Sequence, residues 1–305
     1  MHAPHASDFE PQPGTEPNAD GGGNLGDGGN LGDKGQKGGA DGAAPNSKGA
    51  GSDAQPDAEL EGEKDDGLVD GLEVEDRPNL ALVEGPIPSV DELLTALKHA
   101  FVAENITEAV LERYAEHARL VLEGNRRLNL TAIVEPLEMA VKHYLDCWRA
   151  TRFLPLMGKT VLDLGTGGGF PGMPTALCEA QARVVLLDSR AKRVDFVQSS
   201  IDALGVPNAT AVWARGEDHL ARNSYDVVFV RALSSVRENV RLLRKVRHRF
   251  GDLVMFKGPS WSREVRAAER EAERLGFRLD TVWEYELPSG MGQRALLVYR
   301  GPGAR

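Results

Sequence analysis

Apolar residues follow two rhythms along this chain, and the change between them falls near residue 159. From Ser89 onward, Leu93, Leu94 and Leu97 recur at helical spacing behind an N-cap signature, Ser89 with Glu92 three residues on. Val110, Leu111, Tyr114, Ala118 and Leu122 keep that spacing as far as Gly124. Met139, Val141 and Leu145 mark a third helix over about 136–152. Beyond 159, short apolar runs at 160–164, 183–188, 209–213, 225–230 and 253–256 read as buried strands. Helical stretches separate them: one ends near Cys178, one carries Val194, Val197, Ile201 and Leu204 and stops at Gly205, and one is basic and reaches about Arg249. A charged helix then spans 261–275. The last two runs, 277–287 and 294–299, have no helix between them and are expected to pair antiparallel. Strand-helix alternation predicts an α/β domain whose mostly parallel sheet is covered on both faces.

Composition changes the picture at one end. Residues 1–85 hold 19 Asp and Glu against 5 Lys and Arg, a balance of −14; the whole chain is −10, which leaves about +4 for 86–305. That first stretch is rich in Gly, Asp, Glu, Pro and Asn, with a near-repeat at 23–27 and 29–33, and too poor in apolar side chains to offset the entropy of ordering. It reads as a disordered acidic extension, followed by a helical segment at 86–158 and the sheet domain at 159–305. No charged start precedes an apolar run, and no stretch approaches the roughly 18 apolar residues of a membrane helix, so a cytoplasmic protein with no membrane association is expected. Two cysteines, Cys147 and Cys178, suggest neither a disulfide framework nor a metal site. A weakly basic body is compatible with a phosphate-rich partner without requiring one.

The chemistry concentrates in a turn between the first strand and its helix. Asp163-Leu164-Gly165-Thr166-Gly167-Gly168-Gly169-Phe170-Pro171-Gly172 has Gly165, Gly167 and Gly169 where the backbone must turn sharply and approach a ligand. A dinucleotide fingerprint places glycine at the sixth position, which is Phe170 here. The spacing is instead G-x-G-x-G, with a carboxylate two residues ahead of the first glycine. A pyrophosphate would be repelled by Asp163, whereas the ammonium and sulfonium of S-adenosyl-L-methionine would be attracted. Asp188, at the end of the second strand, is placed to accept from both hydroxyls of a ribose. Gly216 and Glu217 follow the third strand, where this fold receives adenine. A sheet ending in an antiparallel strand, preceded by N-terminal helices, fits a Rossmann-like class I methyltransferase with seven strands better than a dehydrogenase.

At this level of detail the chain resembles the RsmG (GidB) family of 16S ribosomal RNA guanine-N7 methyltransferases. The resemblance rests on Asn129-Leu130-Thr131, His143-Tyr144-Leu145-Asp146, the run from Asp163 to Gly172, Leu187-Asp188-Ser189 with Lys192-Arg193 and Phe196, Arg215-Gly216-Glu217, Arg231-Ala232 and Lys257-Gly258. It covers about 215 residues and leaves the acidic stretch outside. Cys147 stands where the family often has serine, and reads as a small-for-small packing exchange.

The resemblance implies cofactor contacts at Gly165, Phe170, Gly216, Glu217 and Arg231, and a guanine of 16S rRNA in the small ribosomal subunit as acceptor. Guanine N7 has an in-plane lone pair and loses no proton on methylation, so alignment rather than a general base is required. Arg231 and Lys257 are the candidates to hold guanine O6 or a neighbouring phosphate. His143 is either a base contact or a structural bond between the helices and the cofactor loop. RNA is offered a basic strip, Arg237, Arg241, Arg244, Lys245, Arg247, His248 and Arg249, which reads equally as a solvated helix face, and further cations at Arg126, Arg127 and Lys142. Arg231-Ala232-Leu233-Ser234 lacks the Pro-Pro-aromatic signature of amino-group methyltransferases. Both cysteines precede the second strand, which excludes a cytosine-C5 nucleophile. The alternative within the fold is a methyltransferase of another RNA or of a small molecule.

Overall fold

Ser89 and Glu92 form the capping box that their spacing suggests: Ser89 Oγ accepts from the Glu92 N–H, and the Glu92 carboxylate accepts from the Ser89 N–H. They open α1 (Val90–Ala100) in a computed structural model that describes residues 85–301. The acidic extension expected over 1–85 lies, except for Gly85, outside the described residues. α2 (Glu108–Leu128) ends on Asn129 in the left-handed region at φ 46°, a C-cap that asparagine tolerates. The expected third helix runs as α3 (Pro136–Met139), a π-helical stretch over Ala140–Leu145 and α4 (Asp146–Phe153). A π-turn widens the helix by one residue, and such insertions recur at functional sites. This one contains His143 and ends beside Asp146.

The strands are β1 (Thr160–Leu164), β2 (Arg183–Asp188), β3 (Ala209–Trp213), β4 (Tyr225–Arg231), β5 (Phe250–Lys257), β6 (Arg278–Glu286) and β7 (Gln293–Arg300). They form one sheet in the order β3-β2-β1-β4-β5-β7-β6. β1 to β5 are parallel, and β7 runs antiparallel to both β5 and β6. The connecting helices are α5 (Gly172–Cys178), α6 (Ala191–Leu204), α7 (Gly216–Leu220), α8 (Val236–Leu243) and α9 (Trp261–Arg274). This is the seven-stranded class I methyltransferase architecture that the alternation implied. The basic helix is shorter than expected, stopping at Leu243 before a 3-10 turn at Arg247–Arg249.

Strand alternation assigns every side chain to one of two layers. Val161, Val227, Phe229, Val254 and Phe256 face α1 to α6. Leu162, Leu164, Val228, Val230, Leu253 and Met255 face α8 and α9. Because the strands are parallel, the loops after β1, β2, β3 and β4 open on one edge of the sheet, where ligands of such folds bind.

The α2–α6 contact fixes one flank of that edge. The helices run antiparallel: Arg113 donates to the Leu204 carbonyl at 3.0 Å near one end, while Gly124 meets Phe196 near the other. A Cβ on Gly124 would sit 2.5 Å from the Phe196 ring. Gly124→Val is therefore expected to lower the unfolding free energy by about 1–3 kcal/mol through overpacking. Urea denaturation should show an earlier midpoint at unchanged slope, and a wild-type midpoint would mean that the ring swings aside freely.

Candidate cofactor site and its supporting network

The glycine turn is tied down by the acid that precedes it. Asp163 is fully buried, and its Oδ2 accepts from Thr166 Oγ1 at 2.6 Å and from the Gly172 N–H at 2.8 Å, closing the loop across nine residues. Gly165, Gly167 and Gly169 all have positive φ, 80°, 57° and 97°, which β-branched residues strongly disfavour. A Cβ on Gly169 would approach Met173 at 2.9 Å, so that glycine also serves close packing. At the next loop the Asp188 carboxylate accepts from the Gly167 N–H at 3.0 Å and from the Arg190 N–H at 2.9 Å. Asp188 thus braces the turn from β2. Gly216 starts α7 against β1, where any Cβ would lie 2.5 Å from Leu164 Cδ1. The Glu217 side chain, in that first turn, has no hydrogen-bond or ion-pair partner among the described residues.

Two features fit a methionyl cofactor. Asp163 Oδ1 is buried with no hydrogen-bond partner, an acceptor that an ammonium could satisfy. The backbone at Gly167 turns without side-chain cover, since even a Cβ there would meet only the Gly165 carbonyl, at 4.0 Å.

Phe170 closes the turn under the N-terminal helices. Its ring stacks on His143 at 4.5 Å and 19°, and meets Tyr144 and His117 edge-on or tilted. His143 in turn joins three of the sequence motifs. Its Nδ1 lies 3.2 Å from Arg231 Nη2, so that nitrogen accepts, and the neutral ring donates from Nε2 to Thr131 Oγ1 at 2.8 Å. Burial, reinforced by the Arg231 charge, holds the His143 pKa well below the ordinary histidine value. Arg231 Nε donates to Asp146 Oδ2 at 3.3 Å and Nη2 to the Lys142 carbonyl at 2.7 Å; Nη1 makes no hydrogen bond among the described residues. Ala232, immediately after, has φ 52° and turns the chain away from the strand.

Asn-Leu-Thr, His-x-x-Asp and Arg-Ala thus meet in one buried polar network. Both ring nitrogens of His143 are engaged, by Thr131 beyond α2 and by Arg231 at the end of β4, and the cofactor loop meets the ring through the stacked Phe170.

The same alternation separates Arg231 from Lys257. Arg231 faces the α3–α4 layer, whereas Lys257 faces α9, where its Nζ donates to the Ser234 carbonyl at 2.7 Å and to Glu264 at 2.8 Å. Glu264 also accepts from the Val236 N–H, so this ion pair fastens the β4–α8 turn. The expected basic strip is also largely committed. Arg237 and Arg241 pair with Glu271 of α9, Arg244 donates to the Arg241 carbonyl and Arg249 to the Ala221 carbonyl. Lys142 pairs with Glu138. Cys147 is fully buried, as a packing residue should be.

Sequence reading missed three members of the network. Tyr285 of β6 donates to Asp146 Oδ1 at 2.7 Å, and Arg294 of β7 lies 4.0 Å from the same oxygen. Asn125 accepts from the Leu130 and Thr131 N–H groups and donates to the Thr131 carbonyl, which fixes the loop that carries Thr131. A polar residue on the apolar face of α2 was the available signal for Asn125. Nothing local marks Tyr285, since its partner lies 139 residues away.

Among the described residues no group of His, Cys, Asp or Glu could hold a metal, and no helix is long and apolar enough to cross a membrane. A model of the family described as rRNA small subunit methyltransferase G (GidB) matches residues 108–291. The chain is 38% identical over 194 residues to the Ribosomal RNA small subunit methyltransferase G of Symbiobacterium thermophilum, over 60% of this chain and 79% of that protein. Its identity to the protein of that name from Pelotomaculum thermopropionicum is 35% over 203 residues, covering 65% and 85% of the two chains. For the Carboxydothermus hydrogenoformans protein it is 32% over 200 residues, covering 64% and 85%.

Burial pushes the Asp163 pKa up to about 7, against the hydrogen bonds from Thr166 and Gly172. The folded protein holds this proton more tightly than the unfolded chain, so the group favours folding below its unfolded pKa and loses that contribution as pH rises through about 7. A cationic ligand demands the ionised form. S-adenosylmethionine affinity is therefore expected to rise by up to about 25-fold from pH 5.5 to 7.5, while Asp163→Asn should bind weakly and without that slope. Calorimetric titration checks this, and a flat wild-type profile would remove Asp163 from the ligand.

Proposed function

The chain belongs to the rRNA small subunit methyltransferase G family, and from that premise we propose that it methylates N7 of a guanine in 16S ribosomal RNA of the small subunit, in the cytoplasm. The observation that carries the acceptor is the engagement of His143. The histidine nearest Arg231 is neutral, buried and bonded at both nitrogens, so it is not poised to take a proton. N7 attack releases none. The work left to the protein is alignment of N7 with the methyl group and tolerance of the cation that forms.

S-adenosylmethionine supplies an electrophilic methyl group when bound. Around it, Gly165, Gly167 and Gly169 form the close-approach surface, and Asp163 Oδ1 receives the ammonium. Asp188 and Glu217 take the ribose and adenine side, with Gly216 keeping the wall thin. Phe170 packs the methionyl end against the helices. Arg231 is the residue that meets the reacting end: its Nη1 is the one guanidinium nitrogen without a hydrogen bond among the described residues, while Nε and Nη2 fix its direction. Lys257 acts through the β4–α8 turn that it ties to Glu264, as a positioning residue.

The direct test is chemical mapping of N7-methylguanosine in 16S rRNA from cells with and without this protein. A single guanine should lose its N7 methyl group in the deletion, and unchanged rRNA would defeat the assignment. Arg231 is tested separately. Arg231→Ala removes the partner of buried Asp146 and should cost about 3–5 kcal/mol of stability. Arg231→Lys should restore much of that stability yet leave single-turnover methylation at least about tenfold slower, because a point charge cannot serve Asp146, the Lys142 carbonyl and His143 together. At saturating cofactor the chemical step should show no single-proton base between about pH 6 and 9. Full turnover in the lysine variant would leave Arg231 a purely structural ion pair.

A further inference from the structure

Among the described residues, Trp213 is the large aromatic side chain that this fold leaves in solvent. It is 68% exposed, and its indole N–H donates to the Ser189 carbonyl at 3.0 Å, so the ring is pinned although almost nothing covers it. Trp213 ends β3 in register with Asp188, the acid that braces the glycine turn, and therefore stands beside the cofactor loops.

Three elements finish at this same rim. α6 lies across β3, with Gln198 accepting from the Ala211 N–H at 3.2 Å; the helix runs back along the strand, so its first turn and Lys192 reach the Trp213 end. α2 runs antiparallel to α6, from the Arg113–Leu204 bond to the Gly124–Phe196 contact, which carries its last residues toward the start of α6. Arg127 occupies that end. Leu130, just beyond, packs within 3.4 Å of the Cβ position of Gly168 in the cofactor turn. Arg127 and Lys192 are exposed, with no ion-pair or hydrogen-bond partner among the described residues, and exposed Arg215 follows Trp213 by two positions. By contrast, α8 begins at the ligand edge and runs away from it, and its arginines are paired to α9.

We infer that this rim, the end of α2, the first turn of α6 and the end of β3, is the surface that holds the RNA, with Trp213 stacking on an unpaired base and Arg127 and Lys192 meeting the flanking phosphates. The inference rests on the RNA reading of the preceding section and adds where the RNA lies. An exposed, immobilised indole offers a face to any base, and neighbouring cations without counter-charges among the described residues suit phosphates. Held open in this way, the ring is of no use to the core.

The test compares the wild-type protein with Trp213→Ala, Trp213→Phe and the double variant Arg127→Gln/Lys192→Gln. Each is measured for small-subunit rRNA binding across a salt series, for KM and kcat of methylation, and for S-adenosylmethionine affinity. Trp213→Ala should weaken RNA binding and raise KM about tenfold, with kcat and cofactor affinity within about twofold, and phenylalanine should recover most of the loss. The double variant should weaken RNA binding and lower the slope of log K against log salt by between about one and two.

Two results overturn the inference while leaving the methylation reading intact. One is wild-type RNA binding and salt slope in both Trp213→Ala and the double variant of an active enzyme. The other is a large loss of cofactor affinity in Trp213→Ala, which would make the indole a wall of the cofactor pocket. A wild-type protein that neither binds nor methylates rRNA overturns the inference and that reading together.

Discussion

The guanidinium of Arg231 and the carboxylate of Asp146 are charged groups taken almost wholly out of water, and their pairing determines how the two parts of this enzyme meet. An isolated charge buried at the end of β4 would be costly, and so would one at the start of α4. Together they offset much of that cost, and each recruits further partners: the Lys142 carbonyl and His143 around the arginine, Tyr285 and Arg294 around the aspartate. The result is a polar seam in an otherwise apolar interface. It fixes the register of the helical layer on the sheet, which apolar packing alone does not specify closely. The π-turn over Ala140–Leu145 falls at this seam, and its carbonyl at Lys142 is one of the groups that Arg231 uses.

From the seam the constraint passes to the cofactor turn through rings rather than charges. His143 is held flat by Thr131 and Arg231, and Phe170 stacks on it. The glycine turn is therefore gripped from both sides, by Phe170 from the helices and by Asp163 and Asp188 from the sheet. Glycine at the positive-φ positions gives the turn its shape, and these three contacts make it rigid. Pre-organisation of this kind is what a reaction governed by alignment requires.

Much of this was legible in the sequence because the signals were local. The period change at 159, the capping box at Ser89 and the G-x-G-x-G spacing are short-range patterns, and the elements they implied appear within a few residues of the expected bounds. The network was legible only as separate motifs. Asn129-Leu130-Thr131, His143 to Asp146 and Arg231-Ala232 could be quoted, but their meeting is a product of topology, with Arg231 reaching 85 residues back to Asp146. Lys257 shows the converse limit. In sequence it stands like Arg231, at the end of a parallel strand; parity of position puts the two on opposite faces. The basic helix looked like an RNA strip because composition does not reveal that Glu271 of α9 lies opposite. Trp213 passed as one more strand residue, since burial rather than residue type is what makes it unusual.

The central claim is that Arg231 works as part of a unit with Asp146 and not as an independent contact. A double-mutant cycle on single-turnover methylation of small subunits, using Asp146→Asn and Arg231→Lys, tests it most directly. If the pair acts as a unit, each single variant loses at least about tenfold in rate and the double variant is no slower than the slower single. Losses that multiply would show that the two residues contribute separately, and the seam would then be a feature of folding and not of catalysis.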